Sequence, residues 1–249
     1  MNARKDDRSV RKPPARPTRS SALGAYPLAA RPRWRSRELR ALPSVSPLEA
    51  VQEVNLRCVE LLTHVARQGI PETLPLAMAL RDVLGQLTPD MRARAARRAF
   101  LLVDMHFSDP DWWRRVKAYP ARVEAAPEGR GSFPRPAAIQ LARSVLTLAW
   151  HCVRADRHAA NVLLGMHFAV SELIARMSIN DIDRIVERHF RHARPRWETR
   201  PGIWRKLLLA SKTPNIRRAR EINVRGLQWI AGALIAPRAD LPTHPQDGP

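Results

Sequence analysis

Two arginine clusters in the sequence have the composition needed to bind phosphate groups. An arginine guanidinium donates parallel hydrogen bonds to phosphate oxygens, which a lysine ammonium cannot do as well. The first cluster follows Thr88-Pro89-Asp90, with Asp90 as its one acid, and the second stands in the N-terminal segment. We therefore predict that these residues contact nucleic acid: Arg92, Arg94, Arg97, Arg98, Arg33, Arg35 and Arg37.

Four tryptophans form a second group of residues with binding chemistry. Trp112 and Trp113 are adjacent, and Trp197 and Trp204 lie further along the chain. Tryptophan rings can stack on nucleic-acid bases. At helical spacing with apolar neighbours they more often fill a core or an interface. We expect these four residues to lie at an interface with a partner.

The histidines and cysteines suggest a weaker alternative. Cys58 and His64 lie in one predicted helix, and His151 and Cys152 lie in another. A metal site or a nucleophile is one interpretation, but a packed or surface histidine is more common. The sequence has no CxxC pair, nucleophile elbow or glycine-rich phosphate loop. We expect no catalytic, cofactor-binding or metal-binding residues, and a protein that is not an enzyme.

The overall charge favours an acidic polymer as the partner. The chain has 43 basic and 23 acidic residues, a net charge of +20. Such a field attracts DNA, RNA or an anionic membrane surface. Preferential use of Arg for Lys in a GC-rich genome explains the choice of cation, but not the excess over acids.

Membrane and secretion signals are not found in the sequence. No apolar run approaches the ~20 residues of a membrane span. The basic N-terminus is not followed by a continuous apolar segment, so it does not resemble a secretory signal. Cys58 and Cys152 alone fit a reducing compartment. We expect a cytoplasmic protein that does not bind membranes.

The segments that carry these residues are all predicted to be helical. Apolar residues recur at helical spacing, and no segment alternates with period two, so we predict an all-α fold without a sheet. Hydroxyl caps at Thr88 and Ser178 start two of the helices. The predicted helices are Leu48 to Arg67, Leu76 to Leu87, Thr88 to about Val103, Ile139 to Arg154, Ala159 to about Met177 with an interruption at Gly165, Ser178 to about His192, and a last helix begun by Thr213-Pro214.

The N-terminal segment differs in composition from the rest. Residues 1–46 contain twelve Arg or Lys against three acids, a surplus of nine charges. They contain too little apolar surface to offset the entropy of folding, so we predict a disordered basic arm. Such an arm can hold nucleic acid loosely, or it can be a solvated leader with no role.

The two helical series match each other along the chain. Leu61, His64 and Val65 correspond to Leu148, His151 and Cys152 at an offset of 87 residues. Thr88 and Phe100 correspond to Ser178 and Phe190 at an offset of 90. Because cap residues match as well as core residues, we predict an internal duplication. Each unit is a long helix followed by a helix–tight turn–helix, which is compatible with DNA reading.

Several segments resemble the flagellar transcriptional activator subunit FlhD. Glu53-Val54-Asn55-Leu56 and the helix that follows resemble the opening helix of that family. Residues 159–185 resemble its central segment, with Leu164-Gly165-Met166 and the Ser178 cap. Residues 194–204 and 222–234 look like its basic-aromatic stretch and final helix. The first unit departs from the pattern, having Pro71 and Pro75 where Leu-Gly-Met is expected.

The resemblance implies a fold, a partner and a function. FlhD-like proteins are all-helical dimers that act with a second subunit, FlhC, to activate flagellar genes. We therefore expect a bacterial transcriptional regulator that acts on DNA with an FlhC-like partner, or alternatively an adaptor that binds only proteins. The expected divisions are a basic arm at 1–46, a partial FlhD-like unit at 47–120, a linker at 121–137, a whole unit at 138–236 and a disordered tail at 237–249.

The duplication also implies a contact within the chain. A single small unit exposes apolar surface that a copy of itself can cover. Two linked copies meet at high effective concentration. We expect an intramolecular pseudo-dimer, or a homo-oligomer with the same contacts, with the first helices of the two units at the contact.

Overall fold

The computed structural model describes residues 46–68, 75–118 and 131–235, and 76% of these residues are helical. The all-α expectation is confirmed at this level. The helices are α1 Pro47–Gln68, α2 Pro75–Ala79, α3 Arg81–Gly85, α4 Pro89–Ala96, α5 Pro110–Ala118, α6 Arg135–Ala155, α7 Arg157–Leu164, α8 Phe168–Ala175, α9 Ile179–His189, α10 Pro201–Ala210 and α11 Ile216–Ile235. A 3-10 turn, Phe190–His192, extends α9.

Helices α1 and α6 form the centre of the fold and pack against each other. Their buried residues recur every three or four positions, as Cys58, Leu62 and Val65 do in α1, which places them on one face. Polar contacts accompany the packing, since Arg57 Nη2 donates to Gln140 Oε1 over 2.6 Å. The first helices of the two series are thus in contact.

The predicted caps start the helices that follow. The Thr88 hydroxyl accepts a hydrogen bond from Met91 N, and Pro89 occupies the first turn of α4. Ser178 and Asp181 form a reciprocal capping box at the start of α9. These side chains satisfy amide groups that have no partner within the helix.

Helix α4 is shorter than the sequence suggests. It ends at Ala96, although the apolar pattern continues to Val103. The buried amide of Asn55 explains the difference. Its Nδ2 donates to Ala96 O and Phe100 O, and its Oδ1 accepts from Leu102 N. A side chain of α1 thereby supplies the partners that further helix would have supplied.

The prediction that the fold has no sheet is wrong, because the structure contains one short two-stranded sheet. Strands β1, Val103–Asp104, and β2, Arg194–Pro195, pair antiparallel, with Asp104 opposite Arg194. Two residues are too few to produce a period-two pattern, so the strands have no signal in the sequence. Asp104 and Arg194 are 90 residues apart, which is the repeat offset. Equivalent positions of the two series therefore face each other.

Other boundaries also differ from the sequence expectation. The segment 76–87 is divided between α2 and α3, and Gly165 adopts a left-handed conformation between α7 and α8. Helix α6 begins at Arg135, inside the expected linker. Pro136 fits its first turn, because proline has no backbone N–H and the N–H groups of a first turn have no partner within the helix. Helix α10 has no counterpart among the predicted helices. Helix α11 is capped by Asn215 rather than Thr213, since Asn215 Oδ1 accepts from Arg218 N.

The helix that follows each short strand packs on the other series. Helix α5 contacts α8, whereas α10 contacts α3 and α4. Arg205 of α10 binds both carboxylate oxygens of Asp82 in α3, at 2.7 and 3.0 Å, and donates to Ala79 O. The two series exchange these helices and share one hydrophobic core.

Among the described residues, no single helix is both long enough and apolar enough to cross a membrane. Helices α7 and α8 reach that length and apolar character only when they are taken together, and they are bent by 119° relative to each other.

Three expected segments lie wholly or largely outside the described residues. These are the basic arm at 1–46, the C-terminal tail at 237–249 and most of the linker at 121–137.

Candidate nucleic-acid interface

Helices α10 and α11 carry a group of exposed basic residues at one end of the described chain. Pro201 occupies the first turn of α10, and Asn215 caps α11. The connection between them is fixed by Arg94, whose Nε donates to Ser211 O over 2.8 Å. A side chain of α4 thereby holds the C-terminal end of α10, from which the chain continues into α11.

Glycines seat α11 against the core. A Cβ at Gly226 would lie 2.1 Å from Phe100 Cε1, so only glycine allows α11 to lie directly on that ring. Trp197 then contacts Phe100 and Trp229 edge-on, at ring centroid distances of 5.8 and 5.6 Å. At Gly165 a Cβ would meet Ile230 Cγ2 at 2.6 Å. One face of α11 is thus closely packed, and the opposite face is free to carry charge.

That opposite face, together with Lys206 of the neighbouring α10, carries a set of exposed cations, called the α11 basic cluster below. A single acid accompanies it, Glu221, which pairs with Arg225 at 2.8 Å. Five cations and one acid give a local charge of +4. The positive N-terminal end of the α11 dipole lies among them and adds to the field. The α11 basic cluster consists of Lys206, Arg217, Arg218, Arg220 and Arg225.

The cluster surrounds shallow surface clefts rather than an enclosed pocket. Lys206, Arg218 and Asn215 line a cleft of about 540 Å³. An adjoining depression of about 490 Å³ is lined by Arg220, Val224 and their neighbours. Open clefts lined by cations suit an extended polyanion, because phosphate contacts need reach and charge rather than enclosure.

Three of the four arginines predicted to bind nucleic acid in and after α4 donate hydrogen bonds within the chain. Arg92 Nη1 donates to Leu87 O, and Arg94 Nε donates to Ser211 O. Arg98 is only 1% exposed, and its Nε donates to Ala95 O. Burial lowers the pKa of Arg98 to about 10. Arg97 is exposed and Arg92 and Arg94 are half-buried, so nucleic-acid contact through these three stays a prediction, whereas the buried Arg98 does not face solvent.

The arginines of the basic arm remain a prediction. Arg33, Arg35 and Arg37 lie outside the described residues.

The tryptophans lie at an interface within the chain rather than at a free surface. Trp112, Trp113 and Trp204 are buried, and Trp197 is partly buried. Trp113 Nε1 donates to His106 O, and Trp204 Nε1 donates to Arg196 O. His106 and Arg196 are again 90 residues apart. The three buried rings are covered by this chain's own residues, whereas Trp197 keeps part of its surface exposed, so a partner contact through Trp197 stays a prediction.

Three histidines meet around Trp112 where the two series join. His106 stacks on Trp112 at 4.7 Å, and its Nε2 is 2.9 Å from His192 Nδ1. The His189 ring lies 5.9 Å from the His192 ring. Burial, together with the neighbouring His106, His189, Arg194 and Arg191, lowers the pKa of His192 to about 4. The His192 ring is therefore uncharged at neutral pH.

The cysteine and histidine alternative has no geometric support. Burial raises the pKa of the Cys58 thiol, and it raises that of Cys152 to about 11, so neither is a ready thiolate. His64 is exposed on α1. Within the described ranges, no group of three or more His, Cys, Asp or Glu side chains is arranged to hold a metal ion.

The sequence shows the arginines of the α11 basic cluster but does not indicate whether they bind a ligand. Arg217, Arg218 and Arg220 crowd one short stretch, and such stretches are often solvated helix faces. Lys206 has no signal, because the sequence pattern does not predict α10 and the packing of α10 beside α11 is a tertiary contact.

No family model matches this chain, and no curated protein or solved structure is significantly similar to it.

Proposed function

We propose that this chain is a bacterial transcriptional regulator of the FlhD kind, built from two tandem FlhD-like units, that binds DNA through the α11 basic cluster. The observation that carries the proposal is the cluster itself. Four arginines and one lysine lie exposed around Glu221 on one face, while the rest of α11 is anchored on Phe100. Cations on a rigidly seated helix bind phosphates at a lower entropic cost than cations on a flexible segment.

The resemblance to FlhD supplies the regulatory part of the proposal. It extends to an FlhC-like partner subunit, a flagellar or related set of genes and a cytoplasmic location. The pairing of equivalent residues Asp104 and Arg194 supports a tandem pair of units. The exchanged helices α5 and α10 support an intramolecular pseudo-dimer.

A salt titration of DNA affinity tests the proposal. Fluorescence anisotropy with a labelled duplex of about 30 base pairs would be measured for the whole chain between low and physiological salt. Replacing Lys206, Arg217, Arg218 and Arg220 by Gln should lower the affinity. The slope of log affinity against log salt should also become shallower by about 0.9 for each phosphate that the variant no longer neutralises.

The matched control removes the same number of charges elsewhere. Arg67, Arg176, Arg184 and Arg188 are also exposed, and replacing them by Gln changes the net charge equally. The control should keep most of the slope. Equal reductions in the two variants would mean that net charge alone drives binding, and no binding by the intact chain would contradict the proposed function.

Deleting residues 1–46 tests the arm separately. If the arm holds DNA, its removal should also flatten the slope. An unchanged slope would leave the arm without a binding role.

A second candidate function is an adaptor that binds only proteins. Ile216 is 82% exposed and Val224 is 50% exposed, both among the arginines of α11. Apolar side chains between arginines are typical of protein interfaces. Specific binding of an FlhC-like subunit without any affinity for duplex DNA would favour this function.

A further inference from the structure

The packed face of α11 determines which of its side chains point outward. Ile222, Gly226 and Ile230 are buried at spacings of four residues, and the position of Gly226 leaves no room for a side chain. The side-chain oxygen of Asn223 also accepts a hydrogen bond from Ala99 N over 3.4 Å. These contacts fix the rotation of the helix about its own axis, so one face is always presented to solvent.

Four side chains form the outermost line of that face, called the α11 ridge below. At about 100° per residue, all of them lie within about 40° of the direction opposite the buried Gly226. All of them are exposed, and all of them line the depression of about 490 Å³. The α11 ridge consists of Arg217, Glu221, Val224 and Gln228.

The α11 ridge carries side-chain types that distinguish base pairs in the major groove of DNA. Arginine donates two hydrogen bonds to guanine, glutamine pairs with adenine, and an aliphatic side chain contacts the thymine methyl group. Arg217, Gln228 and Val224 supply one of each type. Val224 is 50% exposed, and its neighbours along the ridge are polar. A single exposed valine between polar residues suits contact with one methyl group.

Cations stand on both sides of the α11 ridge. Arg220 lies on one flank and Arg218 on the other, about 160° apart around the helix axis. A major groove about 12 Å wide admits an α-helix and has a phosphate backbone along each edge. Flanking arginines therefore reach the phosphates of both strands while the ridge faces the bases. Glu221 pairs with Arg225 at 2.8 Å, which offsets its repulsion of phosphates.

The length of the α11 ridge matches a short run of base pairs. From Arg217 to Gln228 the helix advances eleven residues, or about 16 Å at ~1.5 Å per residue. Successive base pairs are about 3.4 Å apart along a duplex, so the ridge spans about five of them. A surface that served phosphates alone would need no uncharged side chains at its most prominent points, yet Val224 and Gln228 occupy two of the four.

We propose that α11 is a recognition helix whose ridge enters the major groove of duplex DNA and contacts base edges through Arg217, Val224 and Gln228. The flanking Arg218 and Arg220 bind the phosphates on either side. This inference rests on the proposed DNA-binding function and adds sequence specificity to it, because phosphate contacts carry no sequence information by themselves.

Sequence selection followed by an uncharged double variant tests this inference. Random duplexes of about 30 base pairs would be enriched on the full chain. Affinities for a selected duplex and for a scrambled duplex of equal composition would then be measured by fluorescence anisotropy. We expect the intact chain to prefer the selected duplex by about a hundred-fold or more. Val224→Ala combined with Gln228→Ala should lower the affinity for the selected duplex by about ten-fold or more. The affinity for the scrambled duplex should change by less than about three-fold, because neither residue carries a charge that binds phosphates.

Modified bases locate the contact in the major groove. Uracil in place of thymine lacks the methyl group, and 7-deazaguanine in place of guanine lacks N7, both of which lie in that groove. Uracil at one position should weaken binding of the intact chain but not of Val224→Ala. At another position, 7-deazaguanine should weaken binding of the intact chain but not of Arg217→Ala.

The matched control is Val162→Ala together with Gln68→Ala. It removes the same side-chain types from exposed positions on α7 and α1, and it should change neither affinity. Lys206→Gln, on α10 and off the ridge, should weaken binding of the selected and scrambled duplexes equally, as expected for a phosphate contact.

Three outcomes separate this inference from the proposed function. Full sequence preference in the Val224 and Gln228 double variant would overturn the inference, even if that variant lost a protein partner. Binding of duplex DNA without enrichment of any sequence would also overturn it and would leave the proposed function intact. If the intact chain binds no duplex at all, the proposed function itself fails.

Discussion

Asn55 shows how much of the fold depends on one buried amide. Its side chain satisfies two carbonyls and one N–H of the 96–102 segment, and it has no exposed surface. At the 87-residue offset the equivalent position is Ala142. The two helices that the sequence offset matches therefore end differently, with α4 stopping at Ala96 and α9 continuing into a 3-10 turn.

Replacing Asn55 by Ala should destabilise the protein substantially. The substitution leaves Leu102 N, Ala96 O and Phe100 O without this partner in a dry environment. Each buried group left unsatisfied costs about 1–3 kcal/mol, so a decrease of roughly 3 kcal/mol or more in unfolding free energy is expected. Urea denaturation measures it, with exposed His64→Ala on the same helix as the control. A change below ~1 kcal/mol would contradict the role given to Asn55.

The histidines around Trp112 make stability depend on pH. The folded pKa of His192 is about 4, below its ordinary value of 6.5. The folded state therefore binds fewer protons than the unfolded state between these values. Its contribution to stability is fully present above pH 6.5 and is lost as the pH falls through 6.5 towards 4.

Thermal melts at pH values of about 4.5, 5.5 and 7.5 measure this effect. Replacing His192 by Asn should reduce the part of the pH dependence that lies between 4 and 6.5. His158→Asn serves as the control, because His158 is exposed and distant in sequence from the cluster. Identical pH profiles for wild type and the His192 variant would show that another group dominates.

The two glycines of helix α11 have opposite surroundings. Gly226 lies on Phe100, whereas nothing lies within 4 Å of a Cβ built on Gly232. Both are in the same helix, so alanine has the same intrinsic preference at each. The difference between the two substitutions isolates the tertiary contact.

We expect Gly226→Ala to destabilise and Gly232→Ala to stabilise the protein. The Cβ at 226 forces a backbone or ring shift that typically costs about 1–3 kcal/mol. At 232 the helix gains up to about 1 kcal/mol, because alanine is less flexible than glycine in the unfolded chain. Urea denaturation of both variants gives the two signs. Stabilisation by Gly226→Ala would mean that α11 does not lie on Phe100.

Sequence patterns predicted the elements better than their contacts. The caps at Thr88 and Ser178 are local, so they are readable from a few residues. The end of α4 depends on Asn55, 41 residues away from Ala96, and α10 is defined by its packing on α3 and α4. The arginines at 92–98 all look alike in the sequence, because the burial of Arg98 is a tertiary property. The α11 basic cluster required both α10 and α11 to be in place.

At the scale of the whole molecule, the exchanged helices hold the two series together. Cleavage at a protease site inserted within residues 119–130 should leave the halves associated, because α1 still packs on α6 and α10 on α3. Gel filtration of the cut protein should give one peak of unchanged size. Two separate folded halves would contradict the pseudo-dimer.

The Asp82–Arg205 pair provides a graded version of that experiment. In the cut protein, Arg205→Ala should weaken the association of the halves, because it removes a bidentate contact and the bond to Ala79 O. Arg114→Ala is the control, since Arg114 pairs within its own helix. Equal association constants for the two variants would show that the apolar core alone holds the halves.

The exchange of α10 also determines the order in which the chain can complete its structure during synthesis. Arg205 meets Asp82 across 123 residues of sequence, so the α3 face that α10 covers stays bare until nearly the whole chain has left the ribosome. Contacts of such long separation form slowly, and uncovered apolar surface invites aggregation in the meantime. Truncated products that end before Pro201 therefore retain an incomplete first series, and they are the species that chaperones and proteases should recognise first.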